Sequence, residues 1–140
     1  MGKYAFSVCE TKKKTIIIDT DTKNEADDQY AIVDALLTPM FNIKGIIATH
    51  FGHDRIKNSM QASYDELMKI LELSGYRDKI VAVKGAPTGM TKDPGFFTDP
   101  EPIDSEGARL IIQEALSLPV GERLYIGVLG PLTNVASALM

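Results

Sequence analysis

The stretch Thr15-Ile16-Ile17-Ile18-Asp19-Thr20-Asp21 constrains the fold more than any other part of the chain. Four consecutive β-branched residues favour extended backbone, and their lack of polar alternation asks for cover on both faces. Such a strand belongs inside a parallel sheet, and the aspartates that end it put a polar loop at its C-terminal end. From Asp27 to Leu37 the apolar residues Ala31, Ile32, Ala35 and Leu36 recur at helical spacing, and Pro39 closes the helix.

The unit then repeats. Ile43 to Thr49 reads as a second strand, and Met60, Tyr64, Leu67, Met68 and Leu71 mark the buried stripe of a helix ending near Gly75. Lys79 to Lys84 reads as a third strand. Ser105 starts a helix with the face Ala108, Ile111, Ile112, Ala115 and Leu116, and Leu124 to Leu129 is a fourth strand. Leu132, Val135, Ala136 and Leu139 mark a fourth helix. Strands alternating with helices predict an α/β fold: an open, mainly parallel, Rossmann-like sheet with helices on both faces. Residues 1–140 are expected to form one such domain, an N-terminal part that breaks off after its fourth strand as half of a larger sheet would. The stretch from Gly85 to Pro102, with four of the seven prolines, is too long for a plain connection and reads as a lid or an extended loop beside the site.

Charge narrows the partners. A net charge of -4, with one short basic run at Lys12 to Lys14, offers no attraction to a phosphate backbone, so nucleic acid is not an expected partner. Cys9 is the single cysteine, which excludes an internal disulfide and fits a reducing, cytoplasmic setting. No apolar run reaches membrane-span length, and no targeting signal is visible.

Chemistry concentrates in Asp19, Asp21, Asp27 and Asp28. The first two end a strand, two residues apart, and should project to the same side. The other two open the next helix, where Asp27 suits an N-cap and Asp28 the first turn. Four carboxylates converging on one strand end repel one another unless a cation holds them. Oxygen ligands without His or Cys select a hard cation, and irregular loop ligands suit calcium better than magnesium.

The segment Ile16 to Asp28, IIIDTDTKNEADD, resembles the opening of the inosine-uridine preferring nucleoside hydrolase family: a hydrophobic strand into Asp-x-Asp, a loop, then Asp-Asp opening a helix. Gly130-Pro131-Leu132-Thr133-Asn134 is similar to a second segment of that family, in the expected order and more than 100 residues later. The resemblance implies calcium-dependent hydrolysis of the N-glycosidic bond of a ribonucleoside, giving ribose and a free base in nucleoside salvage, by a homo-oligomer. It implies that Asp21 is metal ligand and general base, Asp28 a metal ligand, Thr133 a ligand through its backbone carbonyl, and Asp27 a ribose partner. The loop between Asp21 and Asp27 is longer than the family's usual one and resembles a branch carrying Asn-Glu there, so Asn24 is expected to face the sugar. Gly52-His53 stands where the family often has Gly-Asn, which makes His53 a substrate-binding candidate; His50 or His53 would be placed to protonate a leaving base. The family's later metal-binding aspartate lies outside the matched segments.

Two rival readings start from the same residues. Ile16 to Thr22 also fits the hydrophobic-Asp-x-Asp-x-Thr opening of haloacid dehalogenase-like, magnesium-dependent phosphatases, with Asp19 as nucleophile and Asp21 as acid/base. A nucleoside- or ribose-binding module without turnover is the non-enzyme alternative.

Overall fold

The computed structural model describes residues 6–90 and 100–140. After a single 3-10 turn at Glu10–Lys12, strands and helices alternate: β1 (Lys14–Thr20), α1 (Asp27–Leu37), β2 (Phe41–Ala48), α2 (Ser59–Leu73), β3 (Ala82–Lys84), α3 (Glu106–Ser117), β4 (Leu124–Val128) and α4 (Thr133–Leu139). The four strands form one parallel sheet in the order β3-β2-β1-β4. β1 is therefore interior, as its uninterrupted apolar run requires. The sheet grows to one side through β2 and β3, then to the other through β4, so the order reverses between β1 and β4. A crevice opens beyond the strand C-termini at such a reversal.

The pleat of β1 divides the core in two. Ile18, with Ile46 and Ala48 of β2, packs under α1 and α2 against Ile32, Leu36, Leu67 and Leu71. Ile17, with Ile47, packs on the opposite face against Ile111 of α3, bordered by Val135 and Ala138 of α4. Consecutive residues thus serve different layers, which explains why the strand shows no polar alternation.

Three local expectations need correction. The third strand starts only at Ala82, because the N–H groups of Lys79 and Ile80 both turn back to the Tyr76 carbonyl at 2.9 and 3.1 Å. In α3 only the inner part of the predicted face, Ala108 and Ile111, is buried; Ile112 and Leu116 face outward. In α4 the apolar stripe does not set the buried face: Thr133, Asn134 and Ser137 are buried while Leu132 and Leu139 are exposed. The helix is rotated by a polar cluster at the strand ends. The expected loop or lid between Gly85 and Pro102 lies largely outside the described residues. Among the described residues, no helix is long and apolar enough to cross a membrane.

Candidate active site

The pleat that splits the core also sorts the polar residues at the end of β1. Asp19 continues the side of Ile17 and meets α4, whereas Thr20 continues the side of Ile18 and meets α1. Asp21 lies just past the strand, at the crevice.

Asp19 is fully buried, and Asn134 holds it: the Asn134 amide nitrogen donates to both carboxylate oxygens, at 3.1 and 3.2 Å, and lies 3.2 Å from Thr49 Oγ1. The amide oxygen of Asn134 accepts from the Ala86 N–H at 2.7 Å and from Ser105 Oγ at 3.0 Å. One side chain thereby ties together the ends of β1, β2 and β3 and the N-cap of α3. Room for it depends on Gly85, where a Cβ would come within 2.4 Å of the Asn134 amide nitrogen. Burial pushes the Asp19 carboxyl up to about 7 against the partial opposition of the Asn134 bond. An enclosed carboxyl of this kind is not presented as a nucleophile, which removes the basis of the phosphatase reading.

Asp21 and Asp28 form a buried pair just beyond the C-terminal end of β1. Thr20 Oγ1 donates to Asp28 Oδ2 at 2.5 Å, so the strand end fixes one carboxylate of the helix that follows it. Asp21 is pushed up to about 6, first by burial and then by the negative charge of Asp28, while a bond from Asn24 Nδ2 to its Oδ2 at 3.3 Å pulls the other way. The Asn24 amide is oriented in turn by Arg55 Nη1, which donates to Asn24 Oδ1 at 3.0 Å and to its carbonyl at 3.3 Å. The longer loop after β1 is thus fastened to the loop after β2. The segment after β4 closes in from the other side: a Cβ on Gly130 would lie 3.1 Å from the Asp21 backbone nitrogen and 2.7 Å from Thr49 Cγ2. Only a residue without a side chain lets the 130–134 segment pass this close.

The four aspartates therefore do not act as one cluster. Asp21 and Asp28 interact with each other, Asp19 belongs to the Asn134 network, and Asp27 is exposed at the first position of α1, where Ala26 occupies the N-cap without any side-chain cap. Among the described residues no group of three His, Cys, Asp or Glu side chains is placed to hold a metal. The donor set nonetheless fits a hard cation. The Asp28 carboxylate raises the cost of ionising Asp21, and the hydroxyl of Thr22, next in sequence to Asp21, is buried without a hydrogen-bond partner. Thr133 begins α4; its carbonyl accepts from Ser137 Oγ at 2.7 Å, and its hydroxyl lies 3.0 Å from His50 Nε2. His50 is buried, and burial holds its imidazole below the ordinary histidine range. His53 is exposed on the following loop, with Nδ1 2.8 Å from the Lys57 carbonyl oxygen.

Sequence reasoning missed the roles of Thr20, Asn134 and Arg55. Thr20 was legible from the period of two in β1, since it shares a side with Ile18. Asn134 and Arg55 carry no local signal, because their partners lie up to 115 residues away in the chain.

A family model described as inosine-uridine preferring nucleoside hydrolase matches residues 16–140. Among solved structures, the chain is similar to one described as a nucleoside hydrolase-related hypothetical protein from Saccharophagus degradans that is associated with carbohydrate metabolism. That likeness has a TM-score of 0.57 at 19% identity and covers 91% of this chain and 33% of the other. The chain thus spans about a third of that protein's length. A search of curated proteins gave no match.

Proposed function

The chain belongs to the inosine-uridine preferring nucleoside hydrolase family, and on that footing we propose that it supplies the metal-binding and general-base part of a site that hydrolyses the N-glycosidic bond of ribonucleosides. The observation that carries this reading is the pairing of Asp21 with Asp28 at the point where strand order reverses, with the 130–134 segment packed against the Asp21 backbone.

The residues that would hold calcium are Asp21, Asp28 and the carbonyl of Thr133. When bound, the cation supplies positive charge that favours both carboxylates in their ionised form and draws sugar and water oxygens together. Thr20 keeps one carboxylate of that pair in a fixed orientation through its bond to Asp28. Asp21 accepts the proton of the attacking water as its oxygen bonds to the anomeric carbon; the carbon–nitrogen bond breaks, and its electron pair leaves with the base. Asp27, exposed at the mouth, is the acceptor for a ribose hydroxyl. Asn24 contributes through Asp21, its amide being engaged there and by Arg55. His53, exposed on the rim, is the candidate contact for the base or the sugar. A homo-oligomer would supply remaining donors from a second copy.

The test is ribose release from inosine and uridine by the full chain, with calcium or with a chelator, beside Asp21→Asn. Release that needs calcium and disappears in Asp21→Asn is expected. Release that survives both the chelator and the substitution would overturn the proposal, and so would its complete absence at saturating calcium and protein concentrations that permit assembly.

A further inference from the structure

The chain contains two histidines, three residues apart, and their surroundings assign them opposite protonated nitrogens. The Gly52 backbone N–H lies 3.3 Å from His50 Nδ1 and is always a donor, so Nδ1 presents its lone pair. A neutral imidazole accepting at Nδ1 carries its proton on Nε2. His50 Nε2 is 3.0 Å from Thr133 Oγ1, so the ring donates and the hydroxyl oxygen accepts. At His53 it is Nδ1 that carries a proton, because the Lys57 carbonyl can only accept.

The consequence falls on Thr133. A hydroxyl whose oxygen accepts from His50 has its own proton to place, and among the described residues no acceptor is bonded to it. Thr133 and His50 are each 7% exposed, and the bond from His50 is the partner a hydroxyl buried this deeply requires, which leaves its proton as the capacity still free. The Thr133 carbonyl accepts from Ser137, and the Thr133 hydroxyl makes no bond to it. We propose that His50 is a positioning residue that fixes the Thr133 hydroxyl with its proton directed at a ligand oxygen, a sugar hydroxyl in the reaction proposed above. The sugar's identity rests on that reaction, whereas the orientation of the pair does not.

Two measurements on the full chain test this. Long-range nitrogen–proton correlation spectra of the labelled imidazoles, recorded with a chelator present, are expected to show His50 with Nε2 protonated and Nδ1 bare. His50 with Nδ1 protonated would overturn the proposal whatever the activity. D-ribose is then titrated in calcium into the unaltered chain, His50→Leu, His50→Gln and Thr133→Val. His50→Leu and Thr133→Val should each weaken binding about tenfold, the effect of one buried hydrogen bond. His50→Gln should restore most of it by offering an amide donor near the Nε2 position, and Thr133→Val in the His50→Leu background should add little. Unchanged ribose binding in His50→Leu overturns the positioning role and leaves the hydrolase reading intact. If ribose fails to bind even the unaltered chain while His50 has the expected proton, the sugar-facing role is overturned and the fault lies in the proposed reaction.

Discussion

Replacing Asn134 with leucine keeps the branching of the side chain, in a somewhat bulkier form, and removes its amide from the junction of three strands. The Ala86 N–H, the Ser105 hydroxyl and the Asp19 carboxyl then lose their bonds to it, and Thr49 Oγ1 loses a neighbour. A buried group left without its partner costs about 1–3 kcal/mol, but the two hydroxyls can rotate toward other acceptors. The cost therefore rests on Ala86 and Asp19, and a loss of ~3–5 kcal/mol is expected. That is a large share of the ~5–15 kcal/mol that holds a typical domain together. Asn134→Asp separates the two contributions: it keeps an acceptor for Ala86 but sets a second carboxyl against Asp19, so its cost should grow as pH rises. Urea denaturation followed by circular dichroism, with chelator, at pH 5 and pH 8, measures both. A loss below about 1 kcal/mol for Asn134→Leu, or a pH-independent cost for Asn134→Asp, would refute the view that this amide organises the strand ends.

Three further outcomes are expected. Asp19 and Asp21 have folded-state pKa values raised from 3.8 to about 7 and about 6, so their ionisation opposes folding; the cost is absent below the unfolded value and complete above the folded one. The metal-free chain should lose stability as pH climbs from about 4 to about 7, at up to ~1.4 kcal/mol per pH unit for each group, and Asp19→Asn should flatten that slope in urea midpoints; a slope of opposite sign contradicts the assignment. Gly130→Ala forces a methyl group toward Thr49 and the Asp21 backbone, at a cost of ~1–3 kcal/mol, and should weaken terbium binding read by sensitised luminescence. Thr20→Val deletes the bond to Asp28 and should cost ~1.5–3 kcal/mol in chelator, less with calcium if the cation takes over that carboxylate; equal losses in both conditions count against Asp28 as a ligand.

The apolar run of β1, the helical spacing after it and the aspartates between them were enough to determine a parallel α/β layering and the end of the sheet at which the acidic residues collect. Both follow from short-range rules, since one strand's composition tells how many of its faces are covered and a strand's terminus tells where a loop begins. The Gly-Pro-Leu-Thr-Asn segment could be read as a second part of the same site only through resemblance. Tertiary structure alone decided how the acidic residues divide. Asp19 is drawn to Asn134 and Asp28 to Thr20 because the pleat of β1 sends neighbouring side chains to opposite helix layers, and the partners waiting there come from distant parts of the chain. The buried face of α4 shows the same limit. Hydrophobic periodicity ranks its leucines as core, yet three bonds to buried polar groups of β1, β3 and α3 outweigh that preference and turn Asn134 inward. An unsatisfied polar group costs as much as a buried methyl or two contributes, and only the assembled fold reveals which polar groups have to be met.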